Sequence, residues 1–519
     1  MDRSSKLFKK CASYPSIVLL VLPLVALATE ARDDPQALRA SVAAPCAPLY
    51  PSLDDAAHQL LEDFYRAREG LPAWADELRR NWLRAELQAL ADDGLDPADY
   101  PLPTVYDACS ERQFSLSYLR ALLDLRRGRQ PGMRAERLWH APSEVRPDPL
   151  RAVLAAALAD DPTAAFAAAR PSSRRYLDLR AAYAFARRQP LPSWPTLPDG
   201  PLLKPGGHDA RLPLLRQRLA AEGLLASAEG TSIEFDPATV LALQRFQEQH
   251  GLQADGVLGP ASLTELNVGA LARRDQLRVN LERLRWRVDD LRQARVLINV
   301  AAAELSVIDG DRQLWRTRTQ VGRPARATPL LASRIERLTL NPTWTVPPTI
   351  LREDKLPAIR ADIGYLQQHQ MSVYDHQGNR LDPQQLDWAR PGAILLRQAA
   401  GPQNPLGRVA LRFPNPFAVY LHDTPSQALF DKSPRLFSSG CVRVEAVDQL
   451  LPWLLAEDEL ETVRRRIASG KTQEYRLSQS VPLLLGYWTA EVVAGRLRYF
   501  PDIYQRDPAL LAALLSNHP

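Results

Sequence analysis

Near residue 290 the hydrophobic pattern of this 519-residue chain changes period. Before that point apolar residues recur at three- and four-residue steps, as in Leu60-Leu61-Phe64-Tyr65 and Leu83-Leu87-Leu90. That spacing lines up one face of an α-helix for burial. Beyond it, Val296 to Val300, Glu304 to Asp309 and Leu314 to Val321 alternate, which turns every second side chain to one face of a strand. Asp309-Gly310 lies between two of these runs and predicts a hairpin, because aspartate and glycine tolerate the left-handed turn that joins twisted strands. A chain that keeps helical and strand-forming stretches apart folds as separate helical and β-rich domains, an α+β multidomain class.

With 45% hydrophobic residues, the length is ample for two to four cores. Leu53 to Gln189 reads as helices, broken by the stop and turn Asp93-Gly94-Leu95-Asp96-Pro97. Ala152 to Ala169, rich in alanine and leucine, predicts a helix. Tyr65, Trp74 and Trp82 fit core packing better than a sugar groove. Gln189 to Gly207 is a proline-rich break that marks a boundary. His208 to Asn267 has the pattern of a small three-helix module. Leu212, Leu215 and Leu219 form one face, Phe235-Asp236-Pro237 opens a second helix, and His250-Gly251 ends it. Asn280 to Trp286 predicts a short helical bridge to the β-rich part. Within that part, Ile350 to Ala393 is a charged, helix-like stretch with a polar tail. Ala446 to Leu455 is a helix that Pro452 kinks or shortens.

The net charge of +5 is spread over helix-like segments, without a basic stripe interleaved with aromatics, which excludes nucleic acid as a partner. Arg3, Lys6, Lys9 and Lys10, the apolar run Ile17 to Ala28 and the small-residue site Ala26-Leu27-Ala28 read as an export signal over residues 1–28. The run falls short of the roughly 20 residues a membrane span needs, so removal is expected, with retention as an anchor the alternative. Export leaves Cys46, Cys109 and Cys441. In an oxidising compartment an odd count predicts one disulfide and one free thiol, with Cys46 and Cys109 the natural pair. No HExxH and no zinc-spaced Cys/His cluster occurs, so neither metal nor cofactor is expected.

Tyr420 to Glu445, YLHDTPSQALFDKSPRLFSSGCVRVE, carries the chemistry. His422 and Cys441 stand 19 residues apart, a strand-like run enters at Phe417 to Leu421, and Ser438-Ser439-Gly440 precedes the cysteine. A cysteine attacks carbonyls as thiolate, and a neighbouring imidazole takes its proton and passes it to the leaving group. Small residues before the cysteine let backbone N–H groups approach a developing oxyanion. Taken alone, the pair also fits a buried structural cysteine beside a satisfied histidine. A papain-like order would put the cysteine first, and here the histidine comes first.

His422-Asp423-Thr424-Pro425-Ser426, Leu429-Phe430 and Phe437-Ser438-Ser439-Gly440-Cys441-Val442-Arg443-Val444 resemble the active-site signature of the L,D-transpeptidases, cysteine enzymes that remodel bacterial peptidoglycan. Val321-Gly322, Thr328-Pro329, Leu340-Asn341-Pro342, Trp344-x-Val346-Pro347-Pro348 and Phe413-Pro414-Asn415 extend the likeness. Phe64-Tyr65, Leu71-Pro72-Ala73-Trp74 and Gly94 to Tyr100 resemble the helical scaffold of the long Gram-negative type. Phe246-Gln247-x-x-His250-Gly251-Leu252 and Asp255-Gly256-x-x-Gly259 resemble a peptidoglycan-binding domain.

The resemblance implies a scaffold over 45–200, a peptidoglycan-binding module over 207–268 and a catalytic domain over 290–519, with a lid at about 350–393. It implies Cys441 as nucleophile and His422 as base, with Asp423 orienting the ring, often by its backbone carbonyl. Amides near Gly440 and Cys441 become the oxyanion donors. Arg443, Tyr420, Trp344 and Ser439 become the substrate-binding set, with an ion pair for Arg443 and plain packing for Tyr420 and Trp344 as the competing roles. Ser439 stands where many members carry a second histidine, so no imidazole role falls there. The implied reaction is 3→3 cross-linking in the periplasm. Hydrolysis of the acyl-enzyme and a catalytically silent wall-binding scaffold remain alternatives. Implied partners are peptidoglycan stem peptides and glycan and other cell-wall synthesis enzymes, with carbapenems as covalent inhibitors.

Overall fold

Helices Asp55–Ala67, Glu77–Ala89, Ala108–Arg127, Pro149–Ala157 and Pro162–Ala169 bury their apolar faces around Phe64, Trp74, Leu83, Tyr118 and Phe166. The computed structural model describes residues 55–516 except 131–132, 134–135, 143–147, 160 and 227–229. The export-signal segment and Cys46 lie outside the described residues. Cys109 is disulfide-bonded, and because Cys441 is free its partner also lies outside them. The alanine-rich stretch is two helices rather than one: Asp161 caps a new start by accepting from the Ala164 N–H at 2.7 Å, with Pro162 at the first position. Proline there costs no hydrogen bond and directs the chain into a fresh helix. Trp74 and Tyr65 are core residues, whereas Trp82 is 42% exposed on the outer face of its helix.

The bridge is longer than its sequence suggested. It is a sixteen-residue helix, Ala270–Arg285, and four of its charged side chains, Arg273, Glu282, Arg283 and Arg285, are buried among partners. Arg285 pairs with Glu282 at 2.6 Å and Arg283 with Glu136 at 2.6 Å. Charges that read as a solvated face are instead neutralised inside, the condition under which burial is tolerated. The three-helix module, Leu212–Ala221, Pro237–Gln249 and Pro260–Leu266, packs around Leu215, Leu243, Phe246 and Leu266. His250 stacks between Phe246, at 3.9 Å, and Tyr499 of the β-rich domain, at 5.4 Å.

The strands, in chain order, are β1 (Trp139–His140), β2 (Val296–Asn299), β3 (Glu304–Asp309), β4 (Arg312–Gln320), β5 (Leu331–Leu340), β6 (Trp344–Thr345), β7 (Met371–Tyr374), β8 (Arg380–Leu381), β9 (Leu395–Gln398), β10 (Val409–Arg412), β11 (Leu421–His422), β12 (Val442–Val444), β13 (Gln473–Gly486), β14 (Ala490–Val493) and β15 (Arg496–Tyr499). The main sheet runs β1-β5-β10-β11-β12-β4-β3-β2-β13, and β13 pairs back onto β5. It therefore closes on itself and leaves few open edges. β1, from the helical region, adds to β5 in parallel. The stretch expected as a lid with a polar tail is more ordered than that. Helical turns over 348–361 and Gly364–Gln368 cover a separate sheet, β6-β9-β7-β8, around Trp344, Ile359, Val373 and Leu396. Period-two signal in Met371–Tyr374 is only four residues long, too short to stand out in a polar context.

Candidate active site

The site is built from two neighbouring rows of one sheet face. β11 and β12 run parallel with Leu421 opposite Val442 and His422 opposite Arg443. β10 places Leu411 opposite Leu421 and Ala410 opposite His422. Leu411, Leu421 and Val442 are buried in the domain core, so the alternate residues face the other way. One row carries Ala410, His422, Arg443 and Gln320; the next carries Arg412, Tyr420 and Cys441. His422 and Cys441, 19 residues apart in sequence, thus come to neighbouring rows of one face, Cys441 one residue before β12 and two before Arg443, which pairs with His422. Both line a cavity of about 930 Å³, together with Trp344, Tyr420, Arg412 and Arg443.

His422 is 4% exposed, and its Nδ1 lies 2.6 Å from the Asp423 carbonyl oxygen. A carbonyl only accepts, so Nδ1 carries the proton and Nε2 keeps the lone pair, as a base requires. Burial first, and the Arg443 guanidinium second, pull the imidazole pKa down to about 3, against the Asp423 and Pro405 carbonyls. Burial raises the Cys441 thiol, while the Tyr420 backbone, Arg412 and Arg443 oppose the rise. The resting pair is therefore neutral thiol and neutral imidazole at pH 7.

The turn before the nucleophile is held by its own atoms. The Ser438 hydroxyl donates to the Cys441 carbonyl at 2.5 Å and accepts from the Gly440 N–H at 3.2 Å. Gly440 has φ +113°, a conformation open to glycine and strained for other residues. Its own amide is taken by Ser438, so of the two amides expected near an oxyanion the Cys441 N–H is the one without a partner among the described residues.

The remaining residues sort by position. Arg443 donates to Gln320 Oε1 at 3.1 Å, and its buried Nε has no partner among the described residues. Tyr420 lies with its ring 5.5 Å from that of His422, and the Arg412 guanidinium sits 4.0 Å over it. Trp344 lines the cavity, and Lys355 of the helical turns over 348–361 approaches its ring at 5.5 Å. Ser439 is exposed and accepts from Arg326 Nη1 at 2.9 Å. Arg326 also reaches Glu353 and, at 2.8 Å, Asp354 of the helical turns over 348–361. Arg412 and Arg326 carry no signal in the sequence that marks them for the site. Alternation along Val409-Ala410-Leu411-Arg412 puts Arg412 on one face, but nothing local identifies that face as the site's. Among the described residues no three His, Cys, Asp or Glu gather as metal ligands.

Comparison with known proteins agrees with this architecture. The family model of the L,D-transpeptidase catalytic domain matches residues 293–467, that of the scaffold domain 59–182, and that described as "Putative peptidoglycan binding domain" 209–266. A curated relative from Haemophilus influenzae, named "Putative L,D-transpeptidase", is 37% identical over 238 residues, 45% of this chain and 48% of the relative. The match thus spans about half of that relative's length. Among solved structures, an L,D-transpeptidase from Stackebrandtia nassauensis is 13% identical, covering 55% of this chain and 96% of its own, with a TM-score of 0.21. One from Xylanimonas cellulosilytica is 15% identical, covering 57% and 100%, with a TM-score of 0.18. Residues 293–467 of this chain thus match the L,D-transpeptidase catalytic domain, joined to regions that match the scaffold and peptidoglycan-binding domain models.

Proposed function

We propose that the protein forms 3→3 cross-links in peptidoglycan outside the cytoplasm, through a thioester on Cys441. The observation that carries this reading is the pairing of β11 with β12. It sets a histidine with a free Nε2 lone pair beside a free thiol, in one cavity roofed by a lid.

The thiol proton passes to His422 Nε2 as sulfur attacks the carbonyl at the L-centre of diaminopimelate in a donor tetrapeptide stem. The tetrahedral oxyanion is met by the Cys441 N–H. Collapse breaks the amide bond, and the imidazolium returns its proton to the departing D-Ala amine. The side-chain amine of a second diaminopimelate then attacks the thioester, gives its proton to His422 and releases the thiol. Water in place of the amine yields a tripeptide stem instead.

Peptidoglycan stems carry free carboxylates, and Arg443, whose buried Nε has no partner among the described residues, lines the same cavity. The guanidinium nitrogens not bonded to Gln320 recognise such a group by charge-assisted hydrogen bonds. The neutral resting thiol demands that proton transfer accompany attack, so both His422 and Cys441 are needed together. A strained β-lactam carbonyl such as a carbapenem's would acylate the same thiol and block it.

Purified protein and Cys441→Ala, incubated with disaccharide-tetrapeptide muropeptides and followed by mass, test the proposal. A Cys441-dependent dimer with loss of D-Ala is the expected product. Monomeric tripeptide alone would replace transpeptidation by hydrolysis. No turnover and no carbapenem adduct would overturn the enzymatic reading in favour of a wall-binding scaffold.

A further inference from the structure

The carbonyl immediately behind the nucleophile is gripped from outside the active site. We infer that Thr328, itself clamped by Tyr504, is a positioning residue that aims the Cys441 amide at the oxyanion. The inference rests on the acyl-transfer reading above and adds to it a part of the chain that contacts no substrate.

Thr328 is fully buried. Its hydroxyl donates to the Gly440 carbonyl oxygen at 3.0 Å and accepts from the Gly322 N–H at 2.9 Å. One proton and one lone pair are thereby committed, which fixes the hydroxyl's direction. The Gly440 carbonyl and the Cys441 N–H belong to one planar peptide and point to opposite sides of it. Holding the oxygen therefore aims the N–H. Such a restraint matters here because Gly440, at φ +113°, has no Cβ to resist rotation of that peptide; a Cβ there would touch nothing closer than Val419 Cγ1 at 3.6 Å.

The clamp continues behind Thr328. Its own N–H donates to Tyr504 Oη at 3.1 Å, and the Tyr504 hydroxyl donates to the Gly322 carbonyl at 2.6 Å. Tyr504 is fixed in turn: its N–H donates to Tyr487 Oη at 3.0 Å, and Tyr487 donates to Asp502 Oδ1 at 2.5 Å. Gly322 has to be glycine, since a Cβ would lie 2.1 Å from the Arg326 carbonyl oxygen and push away the loop that carries Thr328. A chain of hydrogen bonds thus runs from the C-terminal segment through Tyr504 and Thr328 to the peptide that carries the oxyanion donor.

Two reactions of the same thiol separate positioning from general integrity. Alkylation by iodoacetamide needs an accessible sulfur but no oxyanion donor, whereas acylation by a carbapenem passes through a tetrahedral oxyanion. In the full chain, Thr328→Val is expected to slow acylation about 30-fold or more, short of or up to the roughly 10²–10³-fold that outright loss of an oxyanion donor costs, since the amide is misaimed rather than removed. Alkylation should stay within about threefold, and Thr328→Ser should restore acylation to within about threefold. Acylation of Thr328→Val at the wild-type rate, equal loss of both reactions, or no rescue by serine would overturn the inference. Should Thr328→Val not fold, Tyr504→Phe takes its place in the same two measurements, and the same outcomes support or overturn the inference. Wild-type protein that is alkylated but never acylated would defeat the acyl-transfer reading and this inference with it. Wild-type acylation unaffected by either variant would defeat this inference alone.

Discussion

The Asp423 carboxylate occupies the space that a side chain on Gly407 would need: a Cβ there would lie 2.3 Å from Asp423 Oδ2. The same oxygen accepts from the Arg408 N–H at 2.9 Å, and the Asp423 N–H donates to the Val409 carbonyl at 2.9 Å. Asp423 is thus pinned at three points, the third being its carbonyl on His422 Nδ1. Gly407, at φ +61°, holds the base in place without touching it.

Gly407→Ala should therefore misplace the imidazole. We expect a loss of about 1–3 kcal/mol in stability from the clash and the strained φ, and a fall of at least about tenfold in kcat. Thermal unfolding and turnover of muropeptides check this. A variant with unaltered turnover would show that the Asp423 anchor does not set the base.

Thiol reactivity should rise with pH through and beyond 9, because burial lifts the Cys441 pKa above its ordinary value and no imidazolium is present to hold a thiolate. The rate of iodoacetamide alkylation against pH measures it. A plateau reached below pH 7 would reveal a preformed thiolate–imidazolium pair instead.

Stability should fall on the acid side through His422. The unfolded chain's histidine binds a proton below about pH 6.5, whereas the folded one resists protonation down to about 3. The unfolded state therefore holds more protons in that window. The contribution is present in full above pH 6.5 and is lost as pH falls toward 3, about 3 kcal/mol of it between pH 7 and pH 4. Urea unfolding at the two pH values should show a smaller difference in His422→Gln than in the wild type.

Arg326→Ala should loosen the lid with little cost to the fold. Its links to Asp354, Glu353 and Ser439 tie the lid to the nucleophile's loop. The Glu353 and Asp354 carboxylates are exposed to solvent, and screened surface pairs of this kind add little to stability. Amide exchange over 348–361 should speed up while the global unfolding midpoint barely moves, and added salt should mimic the effect in the wild type.

Glu111 should be the costliest single polar residue of the scaffold. It is buried and accepts from the Ala73 N–H at 2.7 Å, the Trp74 N–H at 3.0 Å, the Tyr65 hydroxyl at 2.8 Å and the Tyr106 hydroxyl at 2.9 Å. Glu111→Ala leaves these donors without their acceptor, at about 3–5 kcal/mol. Denaturant unfolding followed by tryptophan fluorescence at Trp74 reads the loss.

Local signals were legible where their cause is local. Asp309-Gly310 is a hairpin turn with Gly310 at φ +56°, and Leu212, Leu215 and Leu219 are all buried in the three-helix core. The split of Ala152 to Ala169 is also written locally, in Asp161-Pro162, but the helix propensity of the surrounding alanines masks that cap. The bridge helix exceeds its sequence signal because Arg283, Arg285 and Glu282 look like surface charge. Burial of Arg283 depends on Glu136 and Asp507, and that of Arg285 on the Asp93 carbonyl and the Tyr176 hydroxyl as well as Glu282; all but Glu282 are more than a hundred residues away.

The period of each stretch, its turns and caps, the order of the domains, and the motif in which His422 and Cys441 stand are all written in the chain. They follow from backbone sterics and side-chain spacing within a few residues. Folding in three dimensions was needed to put Arg412, Tyr420 and Cys441 in one row and His422 and Arg443 in the next. It was needed as well to tie Glu353 and Asp354 to Ser439 through Arg326 and to close Thr328 on the Gly440 carbonyl. These are matters of strand register and loop packing between distant segments, where hydrogen bonds that no neighbouring residue foreshadows select one arrangement among many.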